Sequence, residues 1–247
     1  MKGGTDARPL VSVVTVTRNT AAHVAGCLDS VAAQDGADYE HWVVDGASTD
    51  GTVDVLRGRR DERLHWISEP DRGIYDAMTK AVRLAKGRWI YFLGADDRLR
   101  PGILREMASR LKGGNTLYYG DVWMTKRGIR YAGKFGGWKL ALKNICQQAI
   151  FYPRSAFEFH AFEEKYAIQA DWALNMECWR DRRFRFEYVP VVVADFNDEG
   201  GASSVRRDLA IERDYVELLR KNFPAWISWP LAAAAHGWRF IKRKKLQ

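Results

Sequence analysis

Strand-length apolar runs and helix-forming stretches alternate at least four times in the first ~110 residues. The architecture that accommodates such an order is a parallel sheet covered by crossover helices. Val11–Thr17 reads VSVVTVT, and a run this rich in β-branched residues suits a strand buried on both faces. Residues 41–45, 64–68 and 88–93 are the next three strands. Between them Val24, Leu28 and Val31 share one helix face, with Asn19 as the candidate cap. A helix opens around 53–56, another spans 74–86 and stops at Gly87, and a third follows Pro101, whose fixed φ suits a first helical turn.

Beyond residue 115 the pattern becomes mixed. Residues 117–121, 129–132, 148–152 and 184–193 read as short strands with antiparallel members. Asp171 opens a helix with Trp172, Met176 and Trp179 on one face, and helices run over 207–221 and from 225 to the end. The chain has 247 residues, 47% of them apolar, which suits one domain with a short appendage. We place that domain at 1–222, with halves at about 10–115 and 116–205, and an aromatic, basic tail at 223–247. Three dispersed cysteines, without CxxC or zinc spacing, predict reduced buried thiols.

In parallel sheets ligands bind outside the carboxyl ends of the strands. The polar residues there are Thr17, Arg18, Asn19, Asp45, Asp71, Arg72, Asp96 and Asp97. The first turn carries neither G-x-G-x-x-G nor a P-loop, which argues against a dinucleotide oxidoreductase and a P-loop NTPase. Just past a strand end Asp96 and Asp97 can both face the crevice, one holding Mg²⁺ or Mn²⁺ with diphosphate oxygens and the other a ribose. Read structurally, they are a solvated turn before Pro101. Asp45 can accept from a base or a ribose, or close an Asx turn; Asp50 reads as a helix cap. Asp71-Arg72 places a guanidinium near a phosphate, or forms a local ion pair.

Taken together, SVVTVTRN (12–19), VVDGASTDGT (43–52), SEPDRGIYDAMTKA (68–81), GRWIYFLGADD (87–97), CQQAIFYPR (146–154), ADWALNMECW (170–179) and FNDEGGAS (196–203) resemble the family 2 glycosyltransferases of the GT-A fold, of the bacterial polysaccharide and lipid-linked glycan type. The resemblance implies a single Rossmann-like α/β domain with a mostly parallel central sheet, a smaller mixed acceptor-side part and C-terminal helices. It further implies that Thr17, Arg18, Asn19 and Asp45 cradle the nucleotide, that Asp71-Arg72 meet base or diphosphate, and that Asp96 lies at the ribose. Asp97 would ligate Mn²⁺ or Mg²⁺, and Asp171 would be the general base. Gln147 and Gln148 would lie near donor and acceptor, and Gly200-Gly201 would form a lid or a flexible connection.

This chain departs from the family pattern at three points. The metal element reads Ala95-Asp96-Asp97, Gln147 stands where relatives often carry His, and Thr79 where they often carry Asn. Gln147 cannot titrate near neutral pH, which argues against a proton relay through it.

The implied reaction is inverting, metal-dependent transfer of a sugar, UDP-linked by expectation, to a hydroxyl of a glycan or polyprenyl-linked acceptor. Asp171 is equally placed to cap its helix, and the two roles are compatible. Rival readings are a GT-A-fold nucleotidyltransferase, disfavoured because Thr17–Thr20 has no glycine, and a non-catalytic nucleotide-sugar binder.

The formal charge is +8, but Arg239, Lys242, Arg243, Lys244 and Lys245 supply five positives, leaving 34 Lys and Arg against 31 Asp and Glu. An acidic rim with a basic tail disfavours nucleic acid. Trp226, Trp229 and Trp238 flank the basic run, so the tail packs on the domain, mediates oligomerisation or lies in an anionic membrane interface; we favour the last. No run is long enough to span a bilayer and no signal peptide is evident. The expected location is cytoplasmic, peripheral on the inner face of the cytoplasmic membrane.

Overall fold

A computed structural model describes residues 8–199 and 207–244, with only backbone described from 236 onward. The first half alternates as its sequence pattern requires: β1 (Val11–Thr17), α1 (Ala21–Ala32), β2 (Tyr39–Asp45), α2 (Thr52–Arg57), β3 (Leu64–Ser68), α3 (Ile74–Leu84) and β4 (Trp89–Phe92). β1 is flanked by β2 and β4, all parallel, and β3 lies outside β2. Both faces of β1 are covered, which is why it tolerates an uninterrupted apolar run. α1 turns Val24, Cys27, Leu28 and Val31 inward, and α3 turns Tyr75, Ala77, Met78 and Ala81 inward. Each such Val, Leu or Met contributes about 1.5–3 kcal/mol by leaving water.

The second half comprises β5 (Arg98–Leu99), α4 (Ile103–Ala108), β6 (Thr116–Met124), β7 (Ile129–Tyr131), α5 (Gly137–Leu142), β8 (Ile150–Pro153), α6 (Ala156–Phe159), α7 (Ala170–Arg180), β9 (Arg185–Phe196), α8 (Leu209–Asn222) and α9 (Ala225–Lys244). The sheet order is β3-β2-β1-β4-β8-β6-β9-β5, with β7 beside β6. β8 runs antiparallel to both β4 and β6, while β9 is parallel to β6. Chain order reverses between β1 and β4, so a crevice opens at their carboxyl ends.

Several expectations are corrected. Asn19 does not cap α1: Thr20 holds that position without a side-chain bond, and Asn19 has φ 54°. Gln148 is not in a strand; residues 147–149 form a 3-10 turn before β8. Asp171 is the second residue of α7, and Gln169 precedes the helix as its cap position. The short helices α5 and α6 were not expected, because six and four residues carry too little periodicity to read. The cysteines are free, Cys27 and Cys178 buried and Cys146 half-buried; burial pushes the Cys27 thiol up to about 12.

Candidate active site

The loop after β2 is tied to the turn after β1 by a ring of hydrogen bonds. Asp45, fully buried, accepts from the Ser48 N–H at 2.9 Å, from the Ser48 hydroxyl and from the Ser68 hydroxyl at 2.6 Å. The Asx turn considered for Asp45 is not formed, since the N–H it accepts lies three residues on rather than two, but these bonds fix the loop. Ser48 Oγ accepts from the Asn19 N–H at 2.7 Å, and Asn19 Oδ1 accepts from the Thr49 N–H at 2.9 Å. Asp50 accepts from the N–H groups of Ala21 and Thr52, so one carboxylate serves the amino ends of both α1 and α2. Thr17 meets Thr20 hydroxyl to hydroxyl.

Gly46 lies close against two side chains: a Cβ there would strike Asp71 Oδ2, which would have to shift, and lie 3.3 Å from Arg18 Cδ. Arg18, Gly46 and Asp71 are thus neighbours beyond the ends of β1, β2 and β3. Asp71 Oδ1 also accepts from the Gly73 N–H at 2.9 Å. Arg72 reaches Asp76 at 2.9 Å and Glu164 at 3.0 Å, and its guanidinium is exposed.

The carboxylate pair follows β4. Asp97 is buried, and its oxygens accept from the Asn197 N–H at 2.7 Å and from Gln148 Nε2 at 2.9 Å. Asp96 is half-buried and accepts from Asn197 Nδ2 at 3.3 Å. Burial, followed by the neighbouring Asp96 charge, raises the Asp97 carboxyl to about 7. Gly94 lets the pair pack against the backbone: a Cβ there would collide with Asp97 Oδ2 and sit 3.1 Å from Asp96 Oδ1. Two crowded carboxylates gain from a divalent cation. Among the described residues no group of three or more His, Cys, Asp or Glu side chains gathers on one point. The pair therefore fits an ion that takes one or two protein carboxylates and completes its shell with phosphate and water.

Asp171 lies in the first turn of α7. It is buried; Oδ1 accepts from the Tyr75 hydroxyl at 2.8 Å and Oδ2 from Asn144 Nδ2 at 2.6 Å. Burial raises its carboxyl to about 6, and these two donors hold it back from rising further. The chain of bonds continues from Asn175 Nδ2 to Asn144 Oδ1 at 2.8 Å and from the Tyr152 hydroxyl to Asn175 Oδ1 at 2.9 Å. The Tyr75 hydroxyl has one proton and two acceptors in reach, Asp171 Oδ1 and, at 2.6 Å, the Ile168 carbonyl. Asp208 fixes the start of this helix by accepting from the N–H groups of Ile168 and Gln169.

One short segment joins the two carboxylate centres. Asn144 bonds Asp171 and Gln148, four residues later, bonds Asp97. Four residues span at most about 13–14 Å between their Cα atoms even when extended, so the two donors come from one short stretch of chain. Gln147, expected in the same place, instead turns into the core, buried with its amide 3.6 Å from Met78 Sδ. Thr79, on the helix of Met78, spends its hydroxyl on the Tyr75 carbonyl at 2.7 Å. Gly200 and Gly201 lie outside the described residues. Asn144, Tyr75 and Asn197 were not singled out from sequence. Tyr75 and Asn197 lie within recognised motifs, whereas Asn144 stands two residues before one and carries no local signal.

The profile of Glycosyl transferase family 2 matches residues 12–163. The chain belongs to that family. It is 39% identical over 206 residues, 80% of each chain, to a "PGL/p-HBAD biosynthesis glycosyltransferase" of Mycobacterium bovis. It is also 38% identical over 105 residues, 41% of this chain and 42% of the other, to the putative teichuronic acid biosynthesis glycosyltransferase TuaG of Bacillus subtilis. Among solved structures, TarS 1-349 of S. aureus aligns with TM-score 0.65 at 18% identity, covering 85% of this chain. The chain spans 63% of that 1-349 chain. The mannosyltransferase PcManGT of Pyrobaculum calidifontis, in complex with GDP-Man and Mn²⁺, aligns with TM-score 0.63 at 20% identity, over 93% of this chain and 74% of its own. This glycosyltransferase has the GT-A fold of those structures.

Proposed function

We infer that this glycosyltransferase moves a sugar from a nucleoside-diphosphate donor, UDP-linked, to a hydroxyl of a glycan or lipid-linked acceptor in cell-surface glycan synthesis, inverting the anomeric centre. The observation that carries the reading is the 144–148 segment. It joins a carboxylate raised toward neutrality and held by hydrogen-bond donors, suited to a base, with a carboxylate pair suited to a diphosphate-bound cation. Relatives support the donor class: TarS has been solved with UDP-GlcNAc and PcManGT with GDP-Man and Mn²⁺. The M. bovis and B. subtilis relatives carry names tied to glycan or glycolipid biosynthesis, which supports the acceptor class.

In this reading the nucleotide lies against Arg18, Gly46 and Asp71, with Thr17, Asn19 and Asp45 holding the neighbouring turns and Arg72 meeting base or diphosphate. Asp96 meets the ribose. Asp97, with Asp96 beside it, would hold Mn²⁺ or Mg²⁺, which when bound neutralises charge on the departing diphosphate. Gln148 orients Asp97 through its amide. The acceptor hydroxyl enters from the side of Asp171, which takes its proton as the oxygen attacks the anomeric carbon opposite the diphosphate. Tyr75 and Asn144 keep Asp171 ionised and aimed. Attack from the face opposite the leaving group turns an α-linked donor into a β-glycoside.

A panel of nucleotide sugars with Mn²⁺, scored by release of nucleoside diphosphate, tests the donor class, with Asp97→Ala as the control. Release by the wild type and its loss in Asp97→Ala are expected. Equal release by both would refute the metal assignment. Retained α-linkage by NMR of the glycosylated product would refute direct displacement.

A further inference from the structure

Among the described residues nine large hydrophobic side chains are exposed, and four of them, Trp138, Leu142, Trp226 and Trp229, lie on two helices that touch. Trp138 and Leu142 are four residues apart on α5 and share a face. The Trp138 and Trp226 rings stand 5.9 Å apart. Behind them Gly137 is backed by Ile227 of α9: a Cβ there would lie 2.9 Å from its Cδ1.

α9 buries Ile227, Ser228 and Ala232 against the domain, while Trp226, Trp229, Pro230, Ala233 and Ala234 face outward with no polar side chain among them. A helical stretch apolar on both faces, as residues 225–235 are apart from Ser228, belongs between two apolar surroundings, and the domain supplies one. Charge identifies the other. Residues 122–157, which contain α5, and 218–247, which contain α9, together hold fourteen of the 39 Lys and Arg and none of the 31 Asp and Glu; Arg127, Arg130 and Lys221 pair with Asp198, Asp121 and Glu177 outside these stretches, and the excess remains cationic. Exposed Lys134 and Lys143 flank α5. A second copy meeting this face would bring like charges together. An anionic bilayer supplies both the apolar layer for the indoles and the counter-charge at headgroup depth.

The face is also built onto the catalytic half. Trp172, next to Asp171, donates its indole N–H to the Leu140 carbonyl of α5 at 2.8 Å, and Tyr215 of α8 donates to the Ala141 carbonyl at 2.8 Å. Asn144, two residues past α5, is the residue that bonds Asp171.

We propose that α5 and α9 together form a docking face for an anionic lipid bilayer, seating the acceptor side of the active site on the membrane surface. The biological purpose rests on the lipid-linked-acceptor reading, but docking is measured without turnover, so the two ideas fail separately.

The test is flotation of the full chain with vesicles of phosphatidylcholine alone and with one third phosphatidylglycerol, beside a Trp138→Ser/Trp226→Ser/Trp229→Ser variant with the basic tail intact. Wild type floats with the anionic vesicles only. The variant binds them about tenfold more weakly or worse, keeps its melting temperature, and keeps metal-dependent nucleoside diphosphate release with a soluble acceptor. Brominated lipids quench wild-type tryptophan emission on anionic vesicles, a readout that needs no variant. Absence of wild-type flotation, equal flotation of the variant, or unquenched emission overturns the proposal. A dimer dissolved by the three substitutions, without vesicle binding, assigns the face to a second copy instead.

Discussion

Replacing Asp171 by Asn separates stability from activity, because the site holds a buried charge that the fold itself does not need. The carboxyl moves from 3.8 to about 6, chiefly through burial. Between those pH values the native state retains a proton that the unfolded chain has lost. Stability therefore falls as pH rises through the window, and the full penalty, about 3 kcal/mol, is present above it. Asn carries no such penalty, and its hydrogen bonds can be kept. An amide oxygen at the Oδ1 position still accepts from Tyr75. The amide nitrogen at Oδ2 would face the Asn144 amide nitrogen, which is relieved if Asn144 and Asn175 both turn over. Their bond is then remade in the opposite sense, and the Tyr152 hydroxyl at the end of the chain rotates from donor to acceptor. The expected variant is thus more stable than wild type at pH 7.5 by about 2–3 kcal/mol, with the difference closing near pH 4. Its turnover is lower by about 10²–10⁴-fold, the usual loss for a missing base. Urea unfolding at the two pH values and nucleoside diphosphate release measure both. A variant less stable than wild type at pH 7.5, or one with near-wild-type turnover and bound donor, refutes the reasoning.

Three further outcomes follow from the same geometry. The kcat/KM of the wild type should fall below pH about 6 as Asp171 takes up its proton, and Tyr75→Phe, which removes a donor that lowers this pKa, should move that limb to higher pH; a pH–rate profile identical in both proteins contradicts the link. Gly46→Ala places a methyl against Asp71 and Arg18, so donor affinity by calorimetry should drop about tenfold or more with the melting temperature little changed. Gly87→Ala drives a Cβ into the Ser12 backbone nitrogen, which a strand fixed on both sides cannot move, so the fold should lose about 3 kcal/mol or more in urea.

Much of the architecture was legible because it is written in short-range pattern. The β-branched run of Val11–Thr17 and the Leu64–Ser68 strand have the bounds that periodicity gives them, and the ends of β1, β2, β3 and β4 meet as parallel topology demands. What escaped was decided by partners distant in sequence. Asn19 looks like a cap by type, but the loop after β2 claims both its N–H and its side chain, and Asp50 supplies the bond to α1 instead. Gln147 and Gln148 are indistinguishable as letters. The tight turn at 147–149 sends one toward Met78 and the other to Asp97.

The same distinction explains why Asp97 and Asp171 could be named but their surroundings could not. Each is a carboxylate at an element end, a position visible in sequence. Each is buried, and burial works against a charge unless donors are brought to it. Those donors come from far along the chain: the Asn197 N–H, a hundred residues from Asp97, and Tyr75, ninety-six from Asp171. The exception is the 144–148 segment, which serves both carboxylates from one short stretch. α5 precedes that segment directly and carries Trp138 and Leu142 on its outer face. α5 thus leads straight into the one stretch of chain that bonds both buried carboxylates, which puts its outer face a few residues from the donors of Asp171 and Asp97.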